Sequence, residues 1–350
     1  MGQSSQGGPW VRPDDDAVVA MSDALRWHWD YIRDGGYPVA ALIVEAVLAD
    51  VTAGGPLSEA LPTTTRFGDL PSLRVMAAVH RLALERRSAA VALHLPTLGG
   101  TPPHGDEARG LFRRAVVDAL VAHPAVLAAS LGQTPQTNET GRAALLRCAL
   151  SRLDPAMPVR LREIGTSAGL NLRADHLPGL PGLEAGPLPR VEDRIGCDLH
   201  PIDPSTADGR TRLSSYIWVD DVERFERLRR ALIVASQVPA TVVTADAADF
   251  VEELELHEGS TTVVWHSAFW LYLDRATRDR INAGLERLGA QADARRPLAH
   301  ASWEWSDFSV DQSAPFALVL RTWTGSPDDG RPEVLATGNS HGHDAFLSGR

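Results

Sequence analysis

The chain has 350 residues, of which 44% are hydrophobic and 23% charged, as is typical of a soluble protein with one large domain and an accessory domain. Its net charge is −11 and the sequence has no basic stripe, which argues against binding to nucleic-acid phosphates and favours a small-molecule substrate. Two separated cysteines predict neither a disulfide framework nor a zinc site. Because no apolar run reaches about 18 residues and the N-terminus has no secretion signal, we expect a cytoplasmic protein with no membrane contact.

Helical patterns dominate the first half of the chain. Residues 1–15 are polar and rich in glycine and serine, so we expect disorder there, and residues 16–155 are predicted to form a helical accessory domain. "LFRRAVVDAL" and "SLRVMAAVHRLALERR" repeat apolar residues at helical spacing. "YPVAALIVEAVLADV" is apolar apart from Glu45, which predicts a helix at the centre of this domain.

The stretch "TNETGR" concentrates polar residues at a loop-to-helix junction. One interpretation is an ordinary capped helix, with Thr137 or Asn138 as the cap and Glu139 and Arg142 on the surface. The other is that Asn138, Glu139 and Arg142 form a polar lip of a substrate site, contributed by the helical domain. Both interpretations remain open from sequence alone.

From Pro158 the pattern changes to alternating strands and helices, which predicts an α/β domain over residues 156–350 with a mostly parallel sheet. The predicted strands end at a small-residue loop, near Asp198, at Asp246, and just before His266 and Ser267. "FALVLRTWTG" and "EVLATGNSHGH" are predicted to form an antiparallel hairpin at the sheet edge. Since ligands of such sheets bind beyond the carboxyl ends of the strands, these polar ends indicate a ligand crevice.

The loop "GTSAG" after the first of these strands fits two kinds of enzyme. As G-x-S-x-G it is typical of a serine hydrolase with Ser167 as nucleophile, and Asp246 followed by His266 or His341 has the order of a triad. Glu163 argues against this interpretation, because an elbow strand is usually apolar and a buried carboxylate is costly unless it has partners. This strand is also predicted to be the first of its sheet, whereas an elbow strand normally follows several others.

The alternative is the nucleotide loop of a Rossmann-like class I methyltransferase that uses S-adenosyl-L-methionine. In that fold the cofactor lies across a glycine-rich turn, and acidic residues after the second and third strands hold the ribose hydroxyls and the adenine amine. Carboxylates suit these donors, and a cofactor without a diphosphate does not require the strict G-x-G-x-x-G. The predicted cofactor-binding residues are Glu163, Gly165, Thr166, Ser167, Ala168, Gly169, Asn171, Asp198, Asp246 and Ala247.

Five motifs together resemble an uncharacterised bacterial family, common in actinobacteria and catalogued only as a domain of unknown function: "EIGTSAGLNL", "GCDLHPIDP", "VVWHSAFWLYL", "TNETGR" and "SHG". The resemblance covers roughly residues 20–348 and implies a Rossmann-like methyltransferase-type fold, with an antiparallel last strand, behind a helical N-terminal region. It implies no particular substrate or reaction. The interval from Glu163 to Asp198 exceeds the ~20 residues expected, so "LPGLPGLEAGPLP" is predicted to be a lid and Asp203 is a rival for the ribose contact.

Candidate catalytic residues follow the fourth and fifth predicted strands. His266 is either a base for the methyl acceptor or a structural histidine at a strand end. Glu304 either orients His266, binds a cation or is solvated. His341 is predicted to face the substrate; although His341 and His343 have a metal-like spacing, no third ligand is near and no metal is predicted.

The remaining predicted substrate-binding residues come from separate parts of the chain. Tyr216 and Trp218 are expected to close over the ligand, although aromatic residues of this half fill a core equally well. The complete predicted substrate-binding set is Asn138, Glu139, Arg142, Tyr216, Trp218 and Ser267. The sequence therefore favours a methyltransferase for a small-molecule acceptor, with a serine hydrolase or a non-catalytic nucleotide-binding module as alternatives.

Overall fold

The computed structural model describes residues 17–183, 185–306, 315–342 and 345–347. The chain forms two compact units, of which the first comprises the residues up to Gln136 together with Thr211–Phe225, and the second comprises Thr137–Arg210 and the residues from Glu226 onward. The first unit is therefore discontinuous in sequence. The predicted disordered segment 1–15 and His343 lie outside the described residues.

The first unit is helical, as its periodicity predicts, with one short antiparallel pair of strands, β1 and β2. In chain order its elements are β1 (Val18–Ala20), α1 (Met21–Asp34), α2 (Pro38–Thr52), α3 (Leu57–Ala60), β2 (Thr64–Arg66), α4 (Pro71–Leu84), α5 (Ala89–Ala92), α6 (Gly105–Ala122) and α7 (Pro124–Gly132).

Helix α2 is central to the core of the first unit. Its buried residues include Ile43, Val44 and Val47, whereas Glu45 lies at the rim and pairs with Arg113 at 2.9 Å. The returning segment Thr211–Phe225 completes this helix, because the amides of its first turn donate to the two carboxylate oxygens of Asp220 at 3.0 and 2.7 Å. A carboxylate at a helix N-terminus satisfies amides that have no partner within the helix and interacts favourably with the helix dipole.

The second unit is built on an eight-stranded sheet. Its elements are α8 (Arg142–Leu150), β3 (Val159–Ile164), β4 (Val191–Asp198), α9 (Ala207–Ser215), α10 (Val222–Gln237), β5 (Thr241–Thr244), α11 (Ala247–Glu252), β6 (Thr261–Ser267), α12 (Arg275–Gly289), β7 (Leu298–Trp305), β8 (Phe316–Trp323), β9 (Glu333–Gly338) and β10 (Phe346–Leu347). The chain passes between the two units within α9 and near the start of α10.

The order of the strands locates the point at which an α/β sheet binds ligands. The sheet order is β10-β9-β8-β7-β6-β3-β4-β5, with parallel pairing from β5 through β7 and antiparallel pairing from β7 to β10. The chain adds β4 and β5 on one side of β3, and then β6 and β7 on the other. The order therefore reverses between β3 and β6, and the carboxyl ends of these two strands flank the crevice where ligands of such sheets lie.

The predicted alternation of strands and helices is confirmed as an α/β unit with a mixed, mostly parallel sheet, and β3 is its first strand. Helices α11 and α12 cover one face, where Ile164, Val264 and Leu298 of the sheet share a buried cluster with the apolar residues of both helices. Two strand ends differ from prediction. Strand β6 extends through His266 and Ser267, and β5 ends two residues before Asp246.

No α-helix follows the glycine loop after β3, in contrast to the prediction. A short 3₁₀ helix over Asn171–His176 takes its place, with a kink at Arg173. The Arg173 guanidinium donates to the Gly169 carbonyl at 2.7 Å, and the Arg173 amide donates to Leu170 instead. Because an α-helix would need the Gly169 carbonyl for the Arg173 amide, this side-chain bond favours the tighter turn.

The segment "LPGLPGLEAGPLP", predicted to be a lid, packs against α8 in its described part. Leu177 and Leu183 are buried, and the Cys148 thiol of α8 donates to the Leu183 carbonyl at 3.7 Å. Both cysteines are buried free thiols. Among the residues that the structure describes, no single helix is long and apolar enough to cross a bilayer, and α6 and α7 pass that test only as a pair bent by 86°.

A buried histidine gives the first unit a pH-dependent stability. His80 donates through Nδ1 to the Ile217 carbonyl and accepts from the Thr97 hydroxyl at Nε2, both at 3.1 Å. Burial lowers the pKa of His80 from 6.5 to about 4. The folded protein therefore keeps His80 neutral at a pH where the unfolded chain protonates it.

We predict that the free energy of unfolding falls as the pH decreases from 6.5 toward 4, because the unfolded state then binds more protons than the folded state. His80→Gln should lower the slope of this dependence by up to about 1.4 kcal/mol per pH unit. Chemical denaturation of both proteins near pH ~7 and ~5 measures the difference. The exposed control His104→Gln should keep the wild-type slope; an equal slope in all three proteins would contradict the assignment.

Candidate functional site

The loop after β3 is a bend with three left-handed residues in five. Gly165, Ser167 and Gly169 have φ values of +67°, +55° and +68°. Glycine adopts such angles without steric cost, but serine is strained there. Two bonds from the segment at the end of β4 hold Ser167, since its amide donates to Asp198 Oδ2 at 2.9 Å and its carbonyl accepts from the Ile202 amide at 3.2 Å.

Close packing within the chain accounts for the glycines of this bend. A Cβ at Gly165 would lie 2.2 Å from the ring of Phe269, and one at Gly169 would lie 2.8 Å from a methyl of Val242. The bare backbone of Gly165 is therefore covered by Phe269. The other predicted loop residues, Thr166, Ser167, Ala168 and Asn171, are also buried.

Glu163 is a buried carboxyl group directly beneath the bend, with only 2% of its surface exposed. The Thr166 hydroxyl donates to its Oε2, and Asn171 and Arg173 also interact with it. Burial raises the pKa of Glu163 from 4.5 to about 8, although these three neighbours oppose the shift. The carboxyl group is therefore largely protonated at neutral pH.

Two further side chains of the bend have unused hydrogen-bonding capacity. Ser167 and Asn171 are only 5% and 2% exposed, and neither Ser167 Oγ nor Asn171 Oδ1 has a hydrogen-bond partner among the described residues. Buried polar atoms nearly always have a partner, and exceptions often mark the position of a ligand or an ordered water. Ser167 Oγ and Asn171 Oδ1 therefore keep the capacity to accept a hydrogen bond from a donor group.

The two predicted acidic residues lie close to the neighbouring strand ends but already have internal roles. Asp198 is half-buried and accepts from the amides of Ser167 and His200 at 2.9 and 2.8 Å. Asp246 caps α11, where its Oδ1 accepts from the amides of the two residues that follow Ala247. The two bonds to Asp246 use only Oδ1, and a carboxylate has about four lone-pair positions, so Oδ2 of Asp246 retains capacity for a further donor.

Asp203, the rival for the ribose contact, is exposed and stabilises a local turn. Its carboxylate accepts a bond from Ser205 at 2.8 Å, and this hydrogen bonding lowers the pKa of Asp203 below its ordinary value.

The "TNETGR" segment belongs to the second unit and lies against the bend. Asn138 has φ +34°, and its Oδ1 accepts from the Leu170 amide at 3.1 Å. The predicted helix cap is wrong, because α8 begins after Gly141 and neither Thr137 nor Asn138 caps it. Instead the Gly141 amide donates to Glu139 Oε1 at 2.9 Å, and Asn138 supports the bend.

Glu139, Arg142 and His341 form a second polar cluster, which lies next to the end of β6. Glu139 is buried rather than on the surface, and its Oε2 is 3.8 Å from Nδ1 of the partly exposed His341. Arg142 donates to the Ser340 carbonyl at 2.9 Å and to the Ser267 carbonyl at 3.1 Å. The motifs that carry Glu163, Asn138, Ser267 and His341 thus meet at the reversal of strand order.

His266 lies inside the sheet unit, in a chain of hydrogen-bonded side chains. Its Nδ1 is 2.8 Å from Glu304 Oε1 and its Nε2 is 3.0 Å from His300 Nε2, while Trp270 stacks on the ring at 4.4 Å. Burial and the neighbouring His266 hold the pKa of His300 well below its ordinary value, so His300 is neutral. A single hydrogen atom lies between the two Nε2 atoms. Two hydrogen atoms would clash there, and without any hydrogen atom the two nitrogen lone pairs would repel each other.

This chain of side chains positions the turn that covers Gly165. Glu304 Oε1 also accepts from the Phe269 amide at 2.9 Å, and the preceding residue, Ala268, has a strained φ of +44°. His266 is only 1% exposed, so its described contacts fit a positioning role better than direct contact with substrate. Sequence reasoning missed His300 and Phe269, because only the register of β6 with β7 and the turn after β6 reveal their roles.

Tyr216 and Trp218 lie in the first unit, where each packs against neighbours of that unit. Tyr216 is buried, and Trp218 makes an edge-on contact with Tyr37 at 4.3 Å. Among the described residues, no group of three or more His, Cys, Asp or Glu side chains is arranged to hold a metal ion. His343, the partner of His341 in the metal-like spacing, lies outside those residues.

Comparison with known proteins identifies one family. The family model described as an uncharacterized protein conserved in bacteria (DUF2332) matches residues 22–179 and 177–345, and therefore most of the chain. Neither the curated proteins nor the solved structures give a match.

We predict that Glu163→Gln stabilises the protein increasingly as pH rises from 4.5 to 8, because the folded wild type retains a proton that the unfolded chain has lost. The difference in the free energy of unfolding should grow by up to about 1.4 kcal/mol per pH unit and vanish in acid. Urea denaturation at several pH values measures this difference. The exposed control Glu255→Gln should give a constant offset; a constant offset for Glu163→Gln as well would contradict the raised pKa.

We also predict that Glu304→Ala costs about 2–4 kcal/mol of stability, because the His266 Nδ1–H and Phe269 amide would both lose their acceptor. Glu304→Gln, which keeps a carbonyl oxygen, should cost only about half as much. Urea denaturation at neutral pH compares the two variants, with the exposed Glu255→Ala as control. Equal losses for the two Glu304 variants would refute a shared acceptor.

Proposed function

Because the chain belongs to the DUF2332 family of uncharacterised bacterial proteins, whose description names no reaction, we propose a function from the geometry of its site. The second unit binds S-adenosyl-L-methionine at the bend after β3, and the protein transfers the methyl group to a small-molecule acceptor. The observation that carries the proposal is the position of this bend at the reversal of strand order, with two buried polar atoms that have no partner among the described residues.

The residues present fit the chemical groups of this cofactor. Ser167 Oγ and Asn171 Oδ1 can accept from its ammonium group. Asn171 also interacts with Glu163, whose carboxylate form a nearby cation would favour. We assign the ribose hydroxyls to the Asp198 carboxylate, which lies at the end of β4 beside the bend. Asp246 retains one oxygen for the adenine amine, next to the buried Ala247. Phe269 covers Gly165, and the amides of Ser167 and Leu170 are bonded within the chain. We therefore assign the loop's contacts with the cofactor to the side chains of Ser167 and Asn171.

The residues of the chain have separate tasks in this reaction. Bound S-adenosyl-L-methionine would supply an electrophilic methyl group on a sulfonium. Asp198 and Ile202 would hold Ser167, and with it the bend, in a fixed conformation against the cofactor. A proton released by a hydroxyl or amine acceptor would go to the partly exposed His341, where Glu139 stabilises the imidazolium.

A serine hydrolase is the second candidate, because Ser167 has the positive φ expected of a nucleophile on a sharp strand-to-helix turn. Its hydroxyl, however, contacts no imidazole among the described residues, and the two ring nitrogens of His266 are bonded to Glu304 and His300. A general base within hydrogen-bond reach is the first geometric requirement for nucleophilic serine. The geometry therefore favours cofactor binding over acyl transfer.

Isothermal titration with S-adenosyl-L-methionine and with S-adenosylhomocysteine tests the proposal directly. We predict saturable binding of both and a loss of roughly tenfold or more in Asp198→Asn, because a charge-assisted bond to the ribose is worth about 1.5–3 kcal/mol. Asp203→Asn, a matched change on the same segment, should bind like wild type. The reverse pattern would move the ribose contact to Asp203, and no binding by the wild type would refute the proposal.

Two further measurements separate the alternatives. Labelling by a fluorophosphonate probe that is lost in Ser167→Ala would establish the hydrolase instead. Cofactor binding without methyl transfer to any compound in a pool of bacterial metabolites would indicate the non-catalytic nucleotide-binding module.

A further inference from the structure

Gly141 is a point at which three polar groups converge in the second unit. A Cβ placed there would lie 3.1 Å from Glu139 Oε1, 3.1 Å from the His341 carbonyl oxygen and 3.9 Å from Arg227 Nε. The φ of Gly141 is −59°, so the residue is not required for a left-handed backbone. A side chain at this position would instead crowd the Glu139 carboxylate and the His341 carbonyl.

Arg227 is the member of this group that sequence patterns do not reveal. It lies on α10 within the second unit and is half-buried. Its Nε is buried and has no hydrogen-bond partner among the described residues, although acceptors lie nearby. Guanidinium stays charged at all relevant pH values, and a buried N–H of a charged group without an acceptor is costly.

We propose that Arg227 anchors a second ligand subsite, beside Glu139 and His341, that takes the carboxylate of a small organic acid. A carboxylate can accept from the Nε–H and one Nη–H of the same guanidinium in a planar, two-bond arrangement. This arrangement satisfies the buried Nε, which an end-on contact to the terminal nitrogens alone would leave unpaired.

The neighbouring charges favour a monoanion over a phosphate. The buried Glu139 carboxylate lies close to the same point above Gly141, and like charges repel most strongly where water is excluded. A phosphate group, with a charge of about −1.5 to −2, would be repelled more than a carboxylate. The subsite therefore selects an organic acid with a single negative charge.

The position of the subsite links it to the bend. Asn138, which precedes Glu139 in the chain, accepts a hydrogen bond from the Leu170 amide. Arg142 donates to the carbonyl of Ser267 at the end of β6. An acid held at Arg227 would thus lie next to the cofactor site. If the proposed function holds, the methyl acceptor is therefore a small carboxylic acid.

Benzoate and its neutral analogue benzamide test the subsite in the full-length protein. Isothermal titration should show benzoate binding at millimolar concentration, weaker binding of inorganic phosphate and no binding of benzamide. Arg227→Gln should lower benzoate affinity by roughly ten- to a hundredfold, the loss expected for a charged hydrogen-bonded pair. Arg227→Lys should retain part of the affinity, and the exposed Arg230→Gln on the same helix should bind like wild type.

The outcomes distinguish this inference from the cofactor proposal. Equal affinity for benzoate and benzamide, or wild-type benzoate affinity in Arg227→Gln, overturns the carboxylate subsite, even where S-adenosylhomocysteine binds normally. If S-adenosylhomocysteine fails to bind while benzoate binding depends on Arg227, the cofactor proposal fails and the subsite stands. Thermal melting of each variant without ligand confirms that the variant is folded. Tighter binding of phosphate than of benzoate would refute the selection of a monoanion.

Discussion

The hydrogen bond from the Ser167 amide to Asp198 Oδ2 is the constraint on which the site depends. It joins the bend after β3 to the end of β4 and holds a serine in a left-handed conformation that is strained for a residue with a side chain. With the bend fixed in this way, Glu163 lies beneath it, Asn171 begins the 3₁₀ turn, and the Leu170 amide points to Asn138. The "TNETGR" segment is thereby attached to the same end of the sheet.

Two systems of buried side chains flank this bend and differ in their exposure. Glu304, His266 and His300 are hydrogen-bonded to one another, and through the Phe269 amide they fix the aromatic ring that covers Gly165. Glu139 Oε2 and His341 Nδ1 instead lie 3.8 Å apart, with His341 partly open to solvent, beside a guanidinium nitrogen with no partner among the described residues. The first system suits a structural support, whereas the second suits contact with ligand. Sequence patterns do not distinguish His266 from His341, but the two imidazoles differ in their chemistry because their surroundings differ.

Local patterns predicted most of the architecture, since alternation of apolar residues and clusters of glycine and proline reflect interactions close in sequence. They located the helices of the first unit, the α/β alternation, β3 as the first strand and the polar strand ends. They could not predict contacts that depend on register or on a returning segment. His300 meets His266 only through the pairing of β6 with β7, and the position of Arg227 depends on the rotation of α10. The 3₁₀ turn after the bend, in which the Arg173 side chain bonds the Gly169 carbonyl, likewise depends on side-chain contacts. The location of Tyr216 in the first unit depends on the path of the chain at Thr211–Phe225.

The discontinuity of the first unit determines the order in which it can be completed on the ribosome. Its central helix α2 obtains its N-terminal acceptor from Asp220, and Val219 belongs to its apolar cluster, yet both leave the exit tunnel after β3 and β4 have been synthesised. The first strands of the sheet are therefore synthesised before α2 can obtain this acceptor. Co-translational folding of this chain cannot proceed strictly from the N-terminus, one unit after the other.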